Sequence, residues 1–255
     1  MTEPVQDVDH GTRPGARTFP FLPLLRGCGP GWLPQRLWLM LIGWGAIGLA
    51  YGSAHWLQGA GRSLPELLPD RLLPFHPLAV WPYLSMFILV PLAYLRCPPQ
   101  RQYALAAAMQ CCAAAAWLCF MLFPTTLAAY PAPDPGTISG WLLHGLMQVD
   151  SPQNCLPSLH AALTLLCVHA LYRDGSQTRT RTYNLALWLW GGLIALSIIV
   201  LRRHLFIDLI AGLLLGQAAA MYCGLAGKRA LPAAAARRTA PCRSANHPAQ
   251  RETLQ

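Results

Sequence analysis

Five or six windows of this chain approach or exceed the ~18 to 20 consecutive apolar residues that cross a bilayer, and no other feature limits the fold as strongly. Of its 255 residues 54% are apolar and only 11% charged, against roughly 25% charged in an ordinary soluble domain. That imbalance excludes a disordered or coiled-coil protein and predicts an all-α, polytopic membrane protein. A net charge of +9 would suggest a nucleic-acid partner in a soluble chain, but here the basic residues sit mostly in tails and connections. They read as topology signals, with no nucleic acid implied. The nine cysteines lie mainly inside apolar segments (Cys111, Cys112, Cys119, Cys167, Cys223), where cysteine behaves as a small hydrophobe. No Cys/His spacing suggests zinc.

The predicted spans are residues 37–57, 78–95, 103–123, 157–172, 184–201 and 205–225, a six-helix membrane domain at 37–226. Residues 1–36, rich in Gly, Pro and Arg, read as a tail that is not a cleavable signal peptide. Residues 227–255 read as a basic, disordered tail. Pro82 and Pro91 predict a bent second span, and the Ala-rich third span suits close helix packing. The connection 124–156 carries five prolines and an amphipathic piece near 141–149 that suits a membrane surface. Six spans put both tails on one side. Of the 19 Lys and Arg residues all but Arg62, Arg71, Arg202 and Arg203 fall on that side. By the positive-inside rule both termini are then cytoplasmic. Heavy use of Ala and Arg with a single Lys suggests a GC-rich bacterial source, hence an inner membrane with its outer face periplasmic.

Ionisable residues within membrane segments are expensive and mark function by default. The candidates are His55, His144, His160, His169, His204 and Asp208. His204 and Asp208, spaced i, i+4 at the start of the sixth span, share one helix face directly after Arg202 and Arg203. A carboxylate there can accept the imidazole Nδ1–H and leave Nε2 free to react. The second cluster, Asn154-Cys-Leu-Pro-Ser158-Leu-His160, opens the fourth span, where free backbone N–H groups and the helix dipole favour an anion. The hairpin of spans four and five returns His160 and His204 to the same face. Two histidines beside arginines and a helix N-terminus suit phosphoryl transfer, one as nucleophile and the other as acid. This chemistry requires no metal or cofactor.

Pro157-Ser-Leu-His160 and Ser197 with Arg202-Arg-His-Leu-Phe-Ile-Asp208 resemble the two later motifs of the type-2 phosphatidic acid phosphatase superfamily. That superfamily includes lipid phosphate phosphatases, vanadium haloperoxidases and the inositolphosphotransferase and sphingomyelin synthase branch. Asp70, Pro74, Phe75, Pro77 and Tyr83-Leu-Ser85 are similar to the second-span entry of that last branch, and the likeness covers about residues 70–226. The resemblance implies that His204 forms a phosphohistidine, Asp208 orients it, His160 is the general acid, and Ser158 with Arg202 or Arg203 holds phosphate. It also implies a lipid phosphate or diphosphate substrate. Two departures stand out. Phe123-Pro-Thr-Thr-Leu-Ala-Ala-Tyr-Pro lacks the basic residue of the family's first motif, so Thr125, Thr126 and backbone donors are the replacements to look for. Ile198 stands where classical phosphatases carry an arginine. Both shift the resemblance toward the transferase-like branch, with phosphatase the generic activity and transfer of a phospho-head group between lipids the alternative.

Other readings weigh against these. A proton-coupled transporter would need titratable groups near mid-membrane and repeated halves, and an inert lipid-binding relative would leave the histidines without a reaction. Ser158 is also a natural helix cap, one of the two arginines an interfacial anchor, His169 an interhelical tie, and Asp150 and Asn154 turn formers. Oligomeric state has no handle in the sequence.

Overall fold

The computed structural model describes residues 32–128, 131 and 133–226; the predicted basic tail at 227–255 and residues 1–31 of the N-terminal tail lie outside the described residues. The elements in order are α1 (Trp32–Leu57), β1 (Arg62–Ser63), α2 (Leu68–Leu72), a 3₁₀ turn (Pro77–Ala79), α3 (Val80–Leu84), α4 (Met86–Arg96), α5 (Pro99–Leu122), β2 (Thr125–Thr126), α6 (Ile138–Val149), α7 (Leu159–Leu171), α8 (Thr178–Val200) and α9 (Phe206–Tyr222). Four stretches are long and apolar enough to cross a membrane: Leu33–Leu57, Pro77–Arg96, Pro99–Leu122 and Thr178–Val200. Leu159–Leu171 and Phe206–Tyr222 are apolar but shorter. All six fall where the sequence placed spans. Large side chains such as Leu41, Leu49, Ile88, Leu118, Leu189, Leu193 and Leu214 point outward from the bundle. An apolar belt of that extent is unfavourable in water and natural in lipid, so the chain is a membrane protein.

Three helices begin earlier than the sequence expectation, α1 at Trp32 against 37, α5 at Pro99 against 103 and α8 at Thr178 against 184, and the second span is interrupted. The first helix begins at Trp32, inside the stretch assigned to the tail, because Arg36 is only 6% exposed and belongs to the bundle. Its guanidinium donates to the carbonyls of Tyr94 (2.9 Å), Leu95 (2.7 Å) and Cys97 (3.3 Å), capping the end of α4, whose last carbonyls have no partner within the helix. In the second span the interruption falls at Ser85, between the two prolines, where the hydroxyl donates to the Pro82 carbonyl (2.6 Å) and accepts from the Trp190 indole of α8 (2.8 Å).

At the centre stands α7. Ten of its thirteen residues are buried, and it packs against α4, α5, α8 and α9, as expected of a helix apolar on every side. Its closest neighbour is α9, and small residues bring the two together. A Cβ on Gly212 would run into the Ser158 carbonyl oxygen and lie 3.1 Å from the Ala161 Cβ, while one on Gly216 would lie 2.9 Å from the Ala162 carbonyl oxygen. These glycines form a Gly-x-x-x-Gly stripe, which allows backbones to approach. The ring of His169 meets the Gln217 side chain at 2.9 Å further along the same seam. The Ala-rich part of α5 plays a similar role toward α1: Ala104, Ala106, Ala107 and Ala108 are buried, and a Cβ on Gly43 would lie 3.0 Å from the Ala106 Cα.

At the end of the bundle where α7 and α9 begin, the connections are stitched together. Strands β1 and β2 pair in parallel, Arg62 with Thr125 and Ser63 with Thr126, and Thr126 bridges to Gln153. Overpacking a tight interface costs about 1–3 kcal/mol. Gly212→Ala is therefore expected to lower the thermal unfolding temperature in detergent, whereas Gly48→Ala, with nothing within 4 Å of its Cβ, leaves it unchanged or higher.

Candidate active site

The turn from α8 into α9 determines which side chains enter the site. Helix α8 ends in a Schellman arrangement: the Arg203 N–H reaches the Ile198 carbonyl (3.0 Å) and the Arg202 N–H the Ile199 carbonyl (2.9 Å). Arg202 takes the left-handed conformation there, with φ 54°. The turn sends two consecutive arginines in opposite directions. Arg202 points outward to an ion pair with Glu66 (3.0 Å) and donates to the Leu73 carbonyl (3.3 Å). Arg203 is 4% exposed and close enough to His160 to act on it through its charge. Of the two arginines expected to hold phosphate, only Arg203 lies at the histidine pair.

His204 follows in the same turn, and Asp208 lies one helical turn on. Asp208 is fully buried; its Oδ2 accepts the Leu205 N–H (2.9 Å), so it caps α9, and lies 3.8 Å from His204 Nδ1. That separation exceeds a hydrogen bond; such contacts are commonly loose before substrate binds. The neighbouring orphan donor of α9, the Phe206 N–H, is taken by Asp70 Oδ1 (2.8 Å), whose Oδ2 accepts the Leu67 N–H (2.8 Å). Two carboxylates thus secure the start of the helix that carries the site.

Ser158 is the N-cap of α7; its Oγ accepts from the Ala161 N–H at 3.4 Å, and its own N–H donates to the Asp208 carbonyl (3.1 Å). That backbone bond ties the two helix starts to each other. Two residues on, the His160 ring projects so that its Nδ1 lies 3.3 Å from His204 Nε2. Its other nitrogen, Nε2, lies 2.8 Å from the Tyr83 hydroxyl. The structure therefore brings together His160, His204, Asp208, Ser158 and Arg203, and leaves His55 and His144 apart from them. His55 Nδ1 meets the Ser151 hydroxyl instead (3.1 Å).

Thr125 is buried, and its hydroxyl accepts the Leu156 N–H (3.1 Å), so it supports the strand entering Pro157. The Asn154 side chain bridges Gln58 (2.7 Å) and the Tyr51 carbonyl (2.9 Å), and its φ of 60° makes the turn. Cys155, His204 and Asp208 bring ligand atoms within 4.8 Å of one another, a set able to hold a metal ion. Burial, with Asp208 and Asp150 nearby, pushes the Cys155 thiol well above its ordinary range. A protonated thiol is a poor ligand and a poor nucleophile.

A helical membrane bundle with a histidine pair where two helices start is thus the framework of the chain. The sequence profile of the PAP2 superfamily matches residues 74–222, more than half of the chain, and the chain belongs to that superfamily. Membership supports a phosphatase-type activity in general. No curated protein and no solved structure matches the chain.

Three contributors were invisible to residue-by-residue reading. In the sequence Asp70 and Tyr83 stand out only as part of a motif, and the spacing of the glycine pair 212/216 is the one usable signal for the close helix approach. Removing the Asp70 carboxylate strands two backbone N–H groups, and a buried unsatisfied donor costs about 1–3 kcal/mol. Asp70→Ala is expected to lower stability to thermal unfolding in detergent by at least that amount. Asp70→Asn, which keeps one acceptor oxygen, is expected to lose less.

Proposed function

We propose that the chain is an integral membrane phosphatase acting on a lipid phosphate or diphosphate through a phosphohistidine on His204. The observation carrying this reading is the contact of His204 Nε2 with His160 Nδ1 at 3.3 Å, between buried Arg203 and the capped start of α7. An in-line displacement needs a nucleophile on one side of phosphorus, a proton donor at the leaving oxygen on the other, and fixed positive charge at the equatorial oxygens.

In this mechanism the phosphoryl group enters by parting the two imidazoles, since 3.3 Å leaves no room for phosphorus between them. Asp208 holds His204 Nδ1–H, so the Nε2 lone pair attacks phosphorus. The bond to the ester oxygen breaks, and that oxygen takes the proton from His160 Nδ1 as it leaves. His160 then accepts a proton from water as the water oxygen attacks phosphorus, the N–P bond breaks toward His204, and phosphate departs. Arg203, the Ser158 hydroxyl and the first N–H groups of α7 receive the equatorial oxygens.

Residues 37–226 act in this reading as one six-crossing unit with both termini cytoplasmic and the site toward the periplasmic face of a bacterial inner membrane. At 1.5 Å per residue the 13 residues of α7 and 17 of α9 reach about 20 and 25 Å. Both fall short of the ~30 Å hydrocarbon slab, which suits a site recessed from one surface, at depths that polar heads of lipids reach.

Phospho-head-group transfer is supported by a separate observation. With Arg202 engaged by Glu66 and Thr125 by Leu156, one buried arginine serves the anion, a balance that suits a singly charged phosphodiester. In transfer, a lipid or sugar hydroxyl replaces water.

The test is phosphate release by the detergent-purified protein from phosphatidic acid, lysophosphatidic acid, phosphatidylglycerophosphate and polyprenyl diphosphate, with chelator present. His204→Ala is expected to abolish release and His160→Ala to lower kcat by about 10²–10⁴-fold on alkyl esters. Arg203→Ala is expected to raise KM and lower kcat, whereas Arg202→Ala stays within about threefold of wild type because exposed ion pairs contribute little. Release equal in wild type and His204→Ala overturns the histidine mechanism; no release, with head-group exchange from a phosphodiester donor, selects the transferase.

A further inference from the structure

His160 has two ring nitrogens, and the reaction uses only Nδ1. The other, Nε2, is 2.8 Å from the hydroxyl of Tyr83, a residue of α3 that is 1% exposed and whose ring lies 5.1 Å from the imidazole. The same hydroxyl lies 3.3 Å from Asp150 Oδ2. An ionised carboxylate can only accept, so the Tyr83 O–H donates to Asp150 and its lone pair is left to accept the His160 Nε2–H. This fixes the tautomer. With Nε2 as the permanent donor, Nδ1 is the atom at which a proton comes and goes, and Nδ1 is the one facing His204.

Asp150 is itself held from two sides. It closes α6, with its N–H on the Leu146 carbonyl (2.8 Å), and its Oδ1 accepts from the Tyr51 hydroxyl of α1 (2.6 Å). The groups whose charge or dipole faces His160 are therefore Tyr83 from α3, Asp150 from the end of α6, and Arg203 and His204 from the turn before α9. Of these only Asp150 is negative, and it reaches the ring through Tyr83.

We propose that Tyr83, with Asp150 behind it, is the positioning residue of the acid: it holds His160 Nε2–H, steadies the imidazolium, and aims Nδ1–H at the leaving oxygen. The arrangement mirrors what Asp208 does for His204, with a tyrosine hydroxyl interposed. It rests on the phosphatase reading above, and no proton leaves Tyr83 or Asp150 in the reaction. The Nδ1 proton goes to the leaving oxygen as the P–O bond breaks with its electron pair, and is regained from water in the second half.

In phosphohistidine formation, the step that kcat/KM reports, a group that serves the acid matters only where the leaving group needs a proton; in the water step it serves His160 as base whatever the substrate. Tyr83→Phe keeps the ring against His160 and removes the hydroxyl. With phosphatidic acid, whose leaving group is an alkoxide, kcat/KM is expected to fall about 10- to 100-fold, part of the ~10²–10⁴ available to general acid catalysis. With p-nitrophenyl phosphate, whose phenolate leaves unaided, the loss in kcat/KM is expected to stay below about threefold. Asp150→Asn is expected to show the same split to a smaller degree and guards against a fold defect in the first variant. Equal losses in kcat/KM on both substrates in both variants, or no loss on either, overturn the proposal while the phosphatase reading stands. A wild-type protein that hydrolyses neither p-nitrophenyl phosphate nor any of the four lipid phosphates sinks that reading, and the proposal with it.

Discussion

Helix α9 lies against the start of α7 because Gly212 has no side chain to hold the Ser158 carbonyl away, and the histidine pair depends on that approach. The Ser158 N–H completes the contact by bonding to the Asp208 carbonyl at 3.1 Å. Two helix N-termini, which would ordinarily each need their own solvent, are thereby joined side by side. His160 projects from the first turn of one, and His204 stands just before the first turn of the other. A shift of either helix by an ångström would separate the rings or press them together, and positional errors of that size are known to cost about 10²-fold in rate.

Around that seam carboxylates and hydroxyls tie the elements to one another. Asp208 and Asp70 take successive N–H groups at the start of α9, Thr125 takes the Leu156 N–H, and Asp150 is shared by tyrosines from α1 and α3. In a low-dielectric interior such bonds are strong and their loss is expensive. Elements distant in sequence thus converge on the site: α1 through Tyr51, α2 through Asp70, α3 through Tyr83.

The sequence revealed the helices more readily than their ends. Apolar runs located all six, but Arg36 reads as a topology charge of the N-terminal tail, because its three carbonyl partners on the end of α4 are 58 or more residues away. The Pro-Ser-x-His and His-x-x-x-Asp clusters were legible because their chemistry is local, each within one helical turn. Arg202 and Arg203 were indistinguishable in one dimension; the left-handed residue ending α8 decides which faces inward, and nothing about an arginine announces that conformation. Tyr83, in the sequence a motif residue, and Asp150, a turn former, show no link to His160 until the fold places Tyr83 against its ring and Asp150 behind Tyr83.

The central claim is a covalent bond between phosphorus and His204 Nε2. Brief exposure of the purified protein to phosphatidic acid labelled in its phosphate, followed by rapid alkaline quench and peptide mapping, tests it most directly. The account predicts label on the peptide containing His204, stable in base and released by acid, absent from His204→Ala, and accumulating in His160→Ala when the leaving group is p-nitrophenolate. Substrate turnover with no label on that peptide, or label that persists in His204→Ala, would contradict it.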